Sequence, residues 1–330
     1  MPIEENEISV KSQGGTESVK RELAKRLPDG LLDDFQIICS RVRSIDESKI
    51  RVYWLHDLPE DPETNHLKEA QSRDRFHKIV FCGNWQYSRY QLVCGLPYSS
   101  NHLVIDTPIE TFEPVKKSFD KIRLVYSSTP QRGLSILVPV FEKLAEKYDN
   151  IHLDVFSSFK IYGWEEADAS FEPLYERIRN HPQMTYHGFA SNSTVREHLK
   201  NAHIHAYPSI WMECNSRSVI EAMSAGLLCV HPNYGGLTDT SGGLNFMYQG
   251  DKDLNTHASI FYNMLDHAIQ IVPKESTQNY LSLVKVYADN RYNWGRIASI
   301  WEDSLNALKQ EYNDVSSRMI KKDLIYYNSP

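Results

Sequence analysis

With 330 residues, 41% of them hydrophobic, the chain is long enough for two domains that each bury a core. Its net charge of −7, with lysines and arginines dispersed and no polybasic run, excludes an electrostatic footprint for nucleic acid. Five cysteines (Cys39, Cys82, Cys94, Cys214, Cys229), an odd number with no Cys-x-x-Cys pair, read as free thiols; no apolar run approaches the about 20 residues of a membrane span, and the acidic N-terminus has no signal-peptide core. The expected location is the cytoplasm, where Asn192-Ser-Thr194 is an unused sequon.

In chain order, residues 1–10 are acidic and only weakly alternating, and give no clear apolar first strand. Gln13-Gly14-Gly15-Thr16-Glu17 opens a helix in which Val19, Leu23 and Leu27 recur every four residues as an apolar stripe. A Gly-Gly pair is most often just a turn, but at a helix start it lets backbone approach a pyrophosphate. Strands are expected near residues 35–39, 50–55, 78–82 and 102–105, the second running into His56-Asp57. Pro108 and Pro114 then interrupt both periodicities and mark a boundary.

Beyond it, strands are expected at 121–127, 151–157, 184–187, 203–207 and 227–231, with helices between. Tyr292-Asn293-Trp294 opens a helix with Ile297, Ile300, Trp301 and Leu305 at helical spacing, and residues 317–330 read as a tail. Such alternation predicts doubly wound α/β domains with parallel sheets. The expected division is 1–112, 113–293, a helix over 294–312 and a peripheral tail over 313–330.

The chemistry concentrates in Tyr207-Pro-Ser-Ile-Trp-Met-Glu213, Cys214-Asn-Ser-Arg-Ser-Val-Ile-Glu221 and Ala-Met-Ser-Ala-Gly226. His203 to Tyr207 alternates as a strand, Val219, Ile220, Ala222 and Met223 sit at helical spacing, and the apolar run from Leu227 to Val230 is the next strand. Asn215 or Ser216 suits the N-cap and Gly226 the C′ position. In such a strand, loop, helix, strand unit the helix N-terminus lies at the carboxyl edge of a parallel sheet and favours a phosphate. Glu213 in the loop and Glu221 in the helix then suit hydroxyls on either side of a diphosphate. The plainer reading makes Arg217 and Glu221 a helix-surface ion pair and Glu213 a solvated loop residue.

These blocks resemble the EAMAxG segment and paired glutamates of family-four retaining glycosyltransferases of the GT-B fold, the glycosyl transferases group 1. The resemblance spans roughly residues 12–312 and is strongest over 126–236. It implies two Rossmann-like domains facing across a cleft, with the helix over 294–312 crossing back to the first. It assigns the donor ribose to Glu221, the transferred sugar to Glu213, the distal phosphate to the amides of Cys214 and Asn215, and the pyrophosphate to the Gly14-Gly15 loop. Arg132, in Ser127-Ser-Thr-Pro-Gln-Arg132-Gly133, resembles the basic residue that neutralises the leaving diphosphate, a task that suits a guanidinium because it clamps two oxygens. The family's second cation is not evident, since Ser127 and Ser128 stand in its place. In Tyr186-His187-Gly188-Phe189, Gly188 resembles the loop glycine that brackets the nucleobase and Phe189 is placed to stack on it. His56 resembles a histidine that touches the donor sugar in some relatives. Cys214-Asn215-Ser216 departs from the family's glycine-containing sequence after the first glutamate. The segments 128–134 and 56–59 are also similar to glycosyltransferases of cyanobacterial tailed phages.

The implied activity is retaining, metal-independent transfer of a hexose from a UDP- or GDP-sugar to a hydroxyl acceptor, with the donor as substrate and no cofactor. The alternatives are a nucleotide-sugar epimerase or hydrolase, for which His56, Asp57 and Glu17 are the acid/base candidates, and a non-catalytic nucleotide-sugar-binding protein. Asp251-Lys-Asp253 follows Gly250 and reads as a solvated turn, and His203 with His205 reads as packed strand histidines rather than a metal pair. There is no Gly-x-Gly-x-x-Gly, Walker or His-Glu-x-x-His motif. Base, sugar, acceptor and oligomeric state are not legible in the sequence.

Overall fold

The computed structural model describes residues 15–320, with side chains from Val19 onward. The chain divides into two compact units: Gly15–Pro108 with the segment from Trp294 onward, and Ile109–Asn293. In the first, α1 (Gly15–Arg26) is followed by β1 (Phe35–Cys39), β2 (Ile50–Leu55), α2 (Ala70–Arg73), β3 (Lys78–Phe81), α3 (Asn84–Cys94) and β4 (His102–Val104). The four strands pair in parallel in the order β1-β2-β3-β4. β1 and β2 are buried along their whole length, as continuous apolar runs with both faces covered must be. Residues 1–10, the weak first-strand segment, lie outside the described residues.

The second unit contains β5 (Ile122–Ser127), α4 (Leu134–Ala145), β6 (Ile151–Phe156), α5 (Glu172–Asn180), β7 (Met184–Tyr186), α6 (Asn192–Asn201), β8 (Ile204–Ala206), α7 (Arg217–Ser224), β9 (Leu228–Pro232), α8 (Leu237–Ser241), β10 (Phe246–Tyr248), α9 (Leu254–Ile271) and α10 (Glu275–Tyr292). Its six strands are parallel in the order β10-β9-β8-β5-β6-β7. The chain builds outward from β5 to β7, then returns to place β8 on the other side of β5. That reversal creates a crevice at the carboxyl ends of β5 and β8, where open α/β sheets bind ligands.

The last described elements are α11 (Trp294–Glu311) and α12 (Val315–Arg318). Trp294, Ile297, Trp301, Leu305 and Leu308 of α11 enter the same core as Val19, Leu23 and Leu27 of the first unit. The return of this helix to the first unit follows from that stripe. Ile109 and Asn293, at the two ends of the second unit, form a parallel bridge, with the Ile109 amide donating to the Tyr292 carbonyl at 2.8 Å. The units part before Ile109, ahead of residue 112, because Ile109 and Phe112 are buried in the second core.

Three sequence expectations change. A tenth strand, β10, was not foreseen: three residues between Gly243 and Gly250 are too few to show a period. Asp253 is the N-cap of α9, its carboxylate accepting the Thr256 amide at 2.8 Å, rather than a plain turn residue. The stretch after residue 312 is not peripheral where it is described. Arg318 is buried and donates to Asp34 and to the Ser48 carbonyl at 3.2 Å each, while buried Arg51 donates to its carbonyl at 2.8 Å. A buried guanidinium needs several acceptors, and α12 supplies one to Arg51.

Two predictions follow from this packing. Gly133, between β5 and α4, has φ +121°, and a Cβ there would lie 2.2 Å from the Pro208 carbonyl oxygen; Gly226, at φ +71°, would meet nothing within 4 Å. Gly226→Ala should cost only the left-handed strain of about 1–2 kcal/mol, whereas Gly133→Ala should lower the urea midpoint by clearly more; equal shifts would refute the close approach. The second concerns buried histidines. Burial, with His231 adding, lowers His205 from 6.5 to about 3, and burial lowers His203 and His231 to about 4. Each unfolded imidazole binds a proton that the folded one refuses, so their contribution to stability is complete above pH 6.5 and declines as pH falls towards 4. The urea midpoint should be level above neutrality and drop between those values. His205→Leu should shallow that drop without destabilising the protein at pH 7, because neither ring nitrogen of His205 has a hydrogen-bond partner; an unchanged slope would count against this account.

Candidate donor site

The turn after β5 and the loop after β8 meet at the strand-order reversal. Arg132 closes a short turn of residues Pro130–Arg132 whose φ is set at the first position by proline. Its Nη1 donates to Glu213 Oε1 at 2.9 Å, and Nη2 donates to the Tyr162 hydroxyl at 3.4 Å. Tyr207, just past β8, donates its hydroxyl to the same Glu213 oxygen. Glu213 is only 6% exposed, so it is not the solvated loop residue of the plainer reading. Burial alone would lower the Arg132 pKa, but Glu213, with Tyr207 and Tyr162, raises it above its ordinary value. Burial and then Glu213 raise the Tyr207 phenol, which therefore stays a neutral donor.

The backbone beneath Glu213 is fixed from below by Gly235 and Gly236, which follow β9. The Gly236 amide donates to the Glu213 carbonyl at 2.7 Å, and a Cβ on Gly236 would come within 2.2 Å of the Cys214 carbonyl oxygen. The Ser216 amide donates to Thr240 Oγ1 at 3.4 Å, whose hydroxyl donates to the Gly236 carbonyl at 2.8 Å. Ser216 is the N-cap of α7 but makes no side-chain cap bond, so the first-turn amides of α7 lack an intrahelical partner. Gly226 takes the left-handed conformation at the other end, as expected.

Glu221, on the second turn of α7, is 5% exposed. Its Oε1 lies 3.3 Å from Arg217 Nη2 and 3.5 Å from Arg196 Nη1, yet has no hydrogen-bond partner of good geometry. The Arg217 pair is thus real but buried, not an ordinary surface pair. Other buried polar atoms without partners gather in the same turns: Ser127 Oγ, Thr129 Oγ1, Arg132 Nε, both amide atoms of Asn215, and Arg217 Nε. So many orphaned groups on two adjoining turns are unusual unless something polar docks there.

Gly188, at φ +61°, follows β7, and its carbonyl accepts the Ser157 amide at 3.0 Å, tying this loop to the end of β6. Phe189 is half-buried and belongs to neither the core nor its apolar margin. His187 bonds Asp154 at 2.8 Å and stacks on Phe156 with ring centroids 4.2 Å apart. Asp154, His187 and His198 hold ligand atoms within 4.8 Å of one another, a cluster that the strand-pair bond and ring stacking already explain. His203 accepts the Arg123 amide at 2.9 Å and its other nitrogen meets the Ser118 carbonyl at 2.9 Å, a packed histidine as expected.

Arg132, Gly188, Phe189, Glu213, Cys214, Asn215 and Glu221 therefore all lie in the second unit, Glu221 on α7 and the others on turns and loops that follow its strands. Gly15 opens α1, and His56 follows β2, both in the first unit; Gly14 lies outside the described residues. His56 packs on Trp54 at 4.5 Å, and burial, with Lys20 adding, lowers it to about 3. All five cysteines are buried free thiols. Among the described residues no helix is long and apolar enough to cross a membrane.

Tyr207, Tyr162 and Arg196 were not singled out from the sequence as site residues. Their partners lie 6 to 81 positions from them or from each other along the chain, and no local spacing carries that information. Gly235-Gly236 did carry a signal: a glycine pair between a strand and a helix, the same one read at Gly14-Gly15.

Residues 109–242 match the family model described as glycosyl transferases group 1. No curated protein matches the sequence. Among solved structures, a glycosyltransferase from Rickettsia africae aligns at TM-score 0.66 and 12% identity, over 92% of this chain and 83% of that one. Anabaena HepE in complex with UDP and glucose aligns at 0.59 and 14%, over 88% and 81%. WaaG, a glycosyltransferase involved in lipopolysaccharide biosynthesis, aligns at 0.58 and 13%, over 88% and 80%. The chain thus has the GT-B fold of these glycosyltransferases, and within its second unit residues 109–242 are similar to the glycosyl transferases group 1.

Proposed function

We propose that the chain transfers a hexose from a nucleoside-diphosphate sugar, a UDP- or GDP-sugar, to an acceptor hydroxyl with retention at the anomeric carbon. The observation that carries this reading is the convergence of Arg132, Tyr207 and Glu213 at the strand-order reversal, beside a helix start that leads to Glu221. The bond between the anomeric carbon and the diphosphate oxygen breaks, a bond to the acceptor oxygen forms, and the acceptor proton leaves with the departing phosphate. Negative charge grows on the diphosphate while the sugar ring becomes positive.

Arg132, still paired with Glu213 through Nη1, offers its unpartnered Nε to the departing diphosphate, and Tyr207 keeps Glu213 anchored while that carboxylate accepts from sugar hydroxyls. The Cys214 and Asn215 amides, at the positive end of α7, hold the distal phosphate, and Gly14 with Gly15 serves the pyrophosphate. Glu221 accepts from the ribose hydroxyls, and Gly188 with Phe189 brackets the base. His56 meets the donor sugar as a neutral imidazole: with its pKa lowered to about 3 it cannot carry protons at pH 7. The buried free thiols fit a reducing compartment, and we place the reaction in the cytoplasm.

A thermal-shift screen with UDP, GDP, ADP and CMP tests the donor site. At about 100 times its dissociation constant a ligand adds roughly 2.7 kcal/mol of apparent stability, so one diphosphate should raise the melting temperature and Arg132→Ala and Glu221→Ala should abolish the rise. A screen without any shift would overturn the donor assignment. With the donor so identified, Arg132→Ala should lower kcat by roughly 10²- to 10³-fold, the loss typical of one preorganised donor. Because fixed cations serve the diphosphate, transfer should persist in excess EDTA. Full loss there, restored by Mg²⁺ or Mn²⁺, would refute metal independence. Nucleotide binding without donor consumption against any acceptor would favour the binding-protein alternative.

A further inference from the structure

Charge accounting around the two glutamates exposes a residue that the sequence offered only as an ion-pair partner. Arg132 is already paired with Glu213 at 2.9 Å, so this pair brings no surplus charge to the site. Glu221 faces two arginines, Arg217 and Arg196, through the same oxygen. Three guanidiniums therefore stand against two carboxylates, and the surplus positive charge belongs to the Arg196, Glu221, Arg217 group.

The two arginines are not equivalent. Arg196 is consumed by structure: Nη1 donates to the Glu110 carbonyl at 3.0 Å, Nη2 donates to the Thr111 carbonyl at 3.2 Å, and its guanidinium carbon lies 3.7 Å over the Phe112 ring. It can neutralise Glu221 but cannot leave. Arg217 has no such ties. It is the first residue of α7, its Nε is buried without a hydrogen-bond partner, and its ion pair with Glu221 at 3.3 Å satisfies neither group geometrically. The neighbouring Asn215 amide and the Thr129 hydroxyl, the latter in the Arg132 turn, are likewise buried and unpartnered, so the site offers several donors to one polar ligand.

We propose that Arg217 is the second cation of the diphosphate site, supplied from the start of α7 in place of the cation that Ser127 and Ser128 do not provide. This rests on the donor reading above and goes beyond it by assigning the leaving-group charge to two guanidiniums on opposite sides of the strand-order reversal. Arg196 makes the assignment workable: by holding Glu221 in place, it lets Arg217 turn towards phosphate while Glu221 stays fixed for the ribose. A planar guanidinium with a free Nε suits two oxygens of one phosphate.

The test separates phosphate from ribose. Calorimetry would compare UDP, UMP and uridine, with GDP, GMP and guanosine in parallel, on the wild type, Arg217→Ala and Arg217→Lys, each checked for an unchanged far-UV spectrum and cooperative melt. Arg217→Ala should weaken the diphosphate by roughly tenfold or more, as for loss of a charge-assisted contact, and leave the nucleoside within about twofold. Arg217→Lys should recover part of the diphosphate affinity, and kcat should follow the same order. Equal losses for nucleoside and diphosphate would show that Arg217 merely props Glu221 and would overturn the proposal, as would wild-type diphosphate affinity in Arg217→Ala. Should Arg217→Ala not fold, Arg217→Lys and Arg217→Gln carry the same comparison. A wild type that binds no nucleotide would instead sink the donor reading itself.

Discussion

The candidate site depends on one steric constraint, the bare backbone of Gly133 lying against the Pro208 carbonyl. β5 and β8 are neighbours in the sheet although 76 residues separate the end of one from the start of the other, and their carboxyl ends carry the turns that meet there. Only a residue without a side chain lets the β5 turn come that close. The approach brings Arg132 within reach of Glu213 and Tyr207. Gly236 acts similarly from the far side, supporting the Glu213 to Cys214 backbone through contacts that a methyl group would prevent. The carboxylates are thus aimed by glycines that never touch a ligand themselves.

Charge is then distributed over that rigid frame with little waste. A buried ion pair contributes little net stability, because desolvation offsets most of the attraction. Its value here is geometric: Arg132, Tyr207 and Glu213 hold one another in a fixed orientation. Glu221 is treated differently. Its arginines sit at longer ion-pair distances without hydrogen-bond geometry, leaving carboxylate and guanidinium both incompletely satisfied. Satisfied groups position, and unsatisfied ones await a partner.

Local pattern revealed the strands well because parallel strands buried on both faces are short apolar runs between polar turns, as in Phe35–Cys39 and Ile50–Leu55. It failed at Phe246–Tyr248, whose three residues carry no period. In the candidate site, spacing makes legible only that Glu213, Glu221 and Arg132 sit near a strand end or helix start, while the roles given to them come from the resemblance. The plainer reading of the glutamates failed because exposure is a tertiary property; nothing in Arg217-x-x-x-Glu221 says that Arg196 will approach it. Tyr162 is invisible as a site residue because its partner Arg132 comes from another loop, and Tyr207 because a separation of six positions within one loop fixes no contact.

The first unit shows how a distant segment can condition a candidate site residue without approaching a ligand. His56 is packed at 4.5 Å against Trp54, and Trp54 is met edge-on at 4.8 Å by Trp301 of α11. Trp301 is 1% exposed and embedded among Val19, Leu23 and Ile297. The imidazole is thus backed by a ring that is itself wedged by a helix from the far end of the chain. Burial, which that packing helps to create, is the main cause of the lowered His56 pKa. The C-terminal helix thereby helps to set the charge state of a residue nearly 250 positions before it. Loosening α11 would admit water around Trp54 and let His56 titrate nearer to neutrality, so the helix is coupled to that imidazole's charge through solvation.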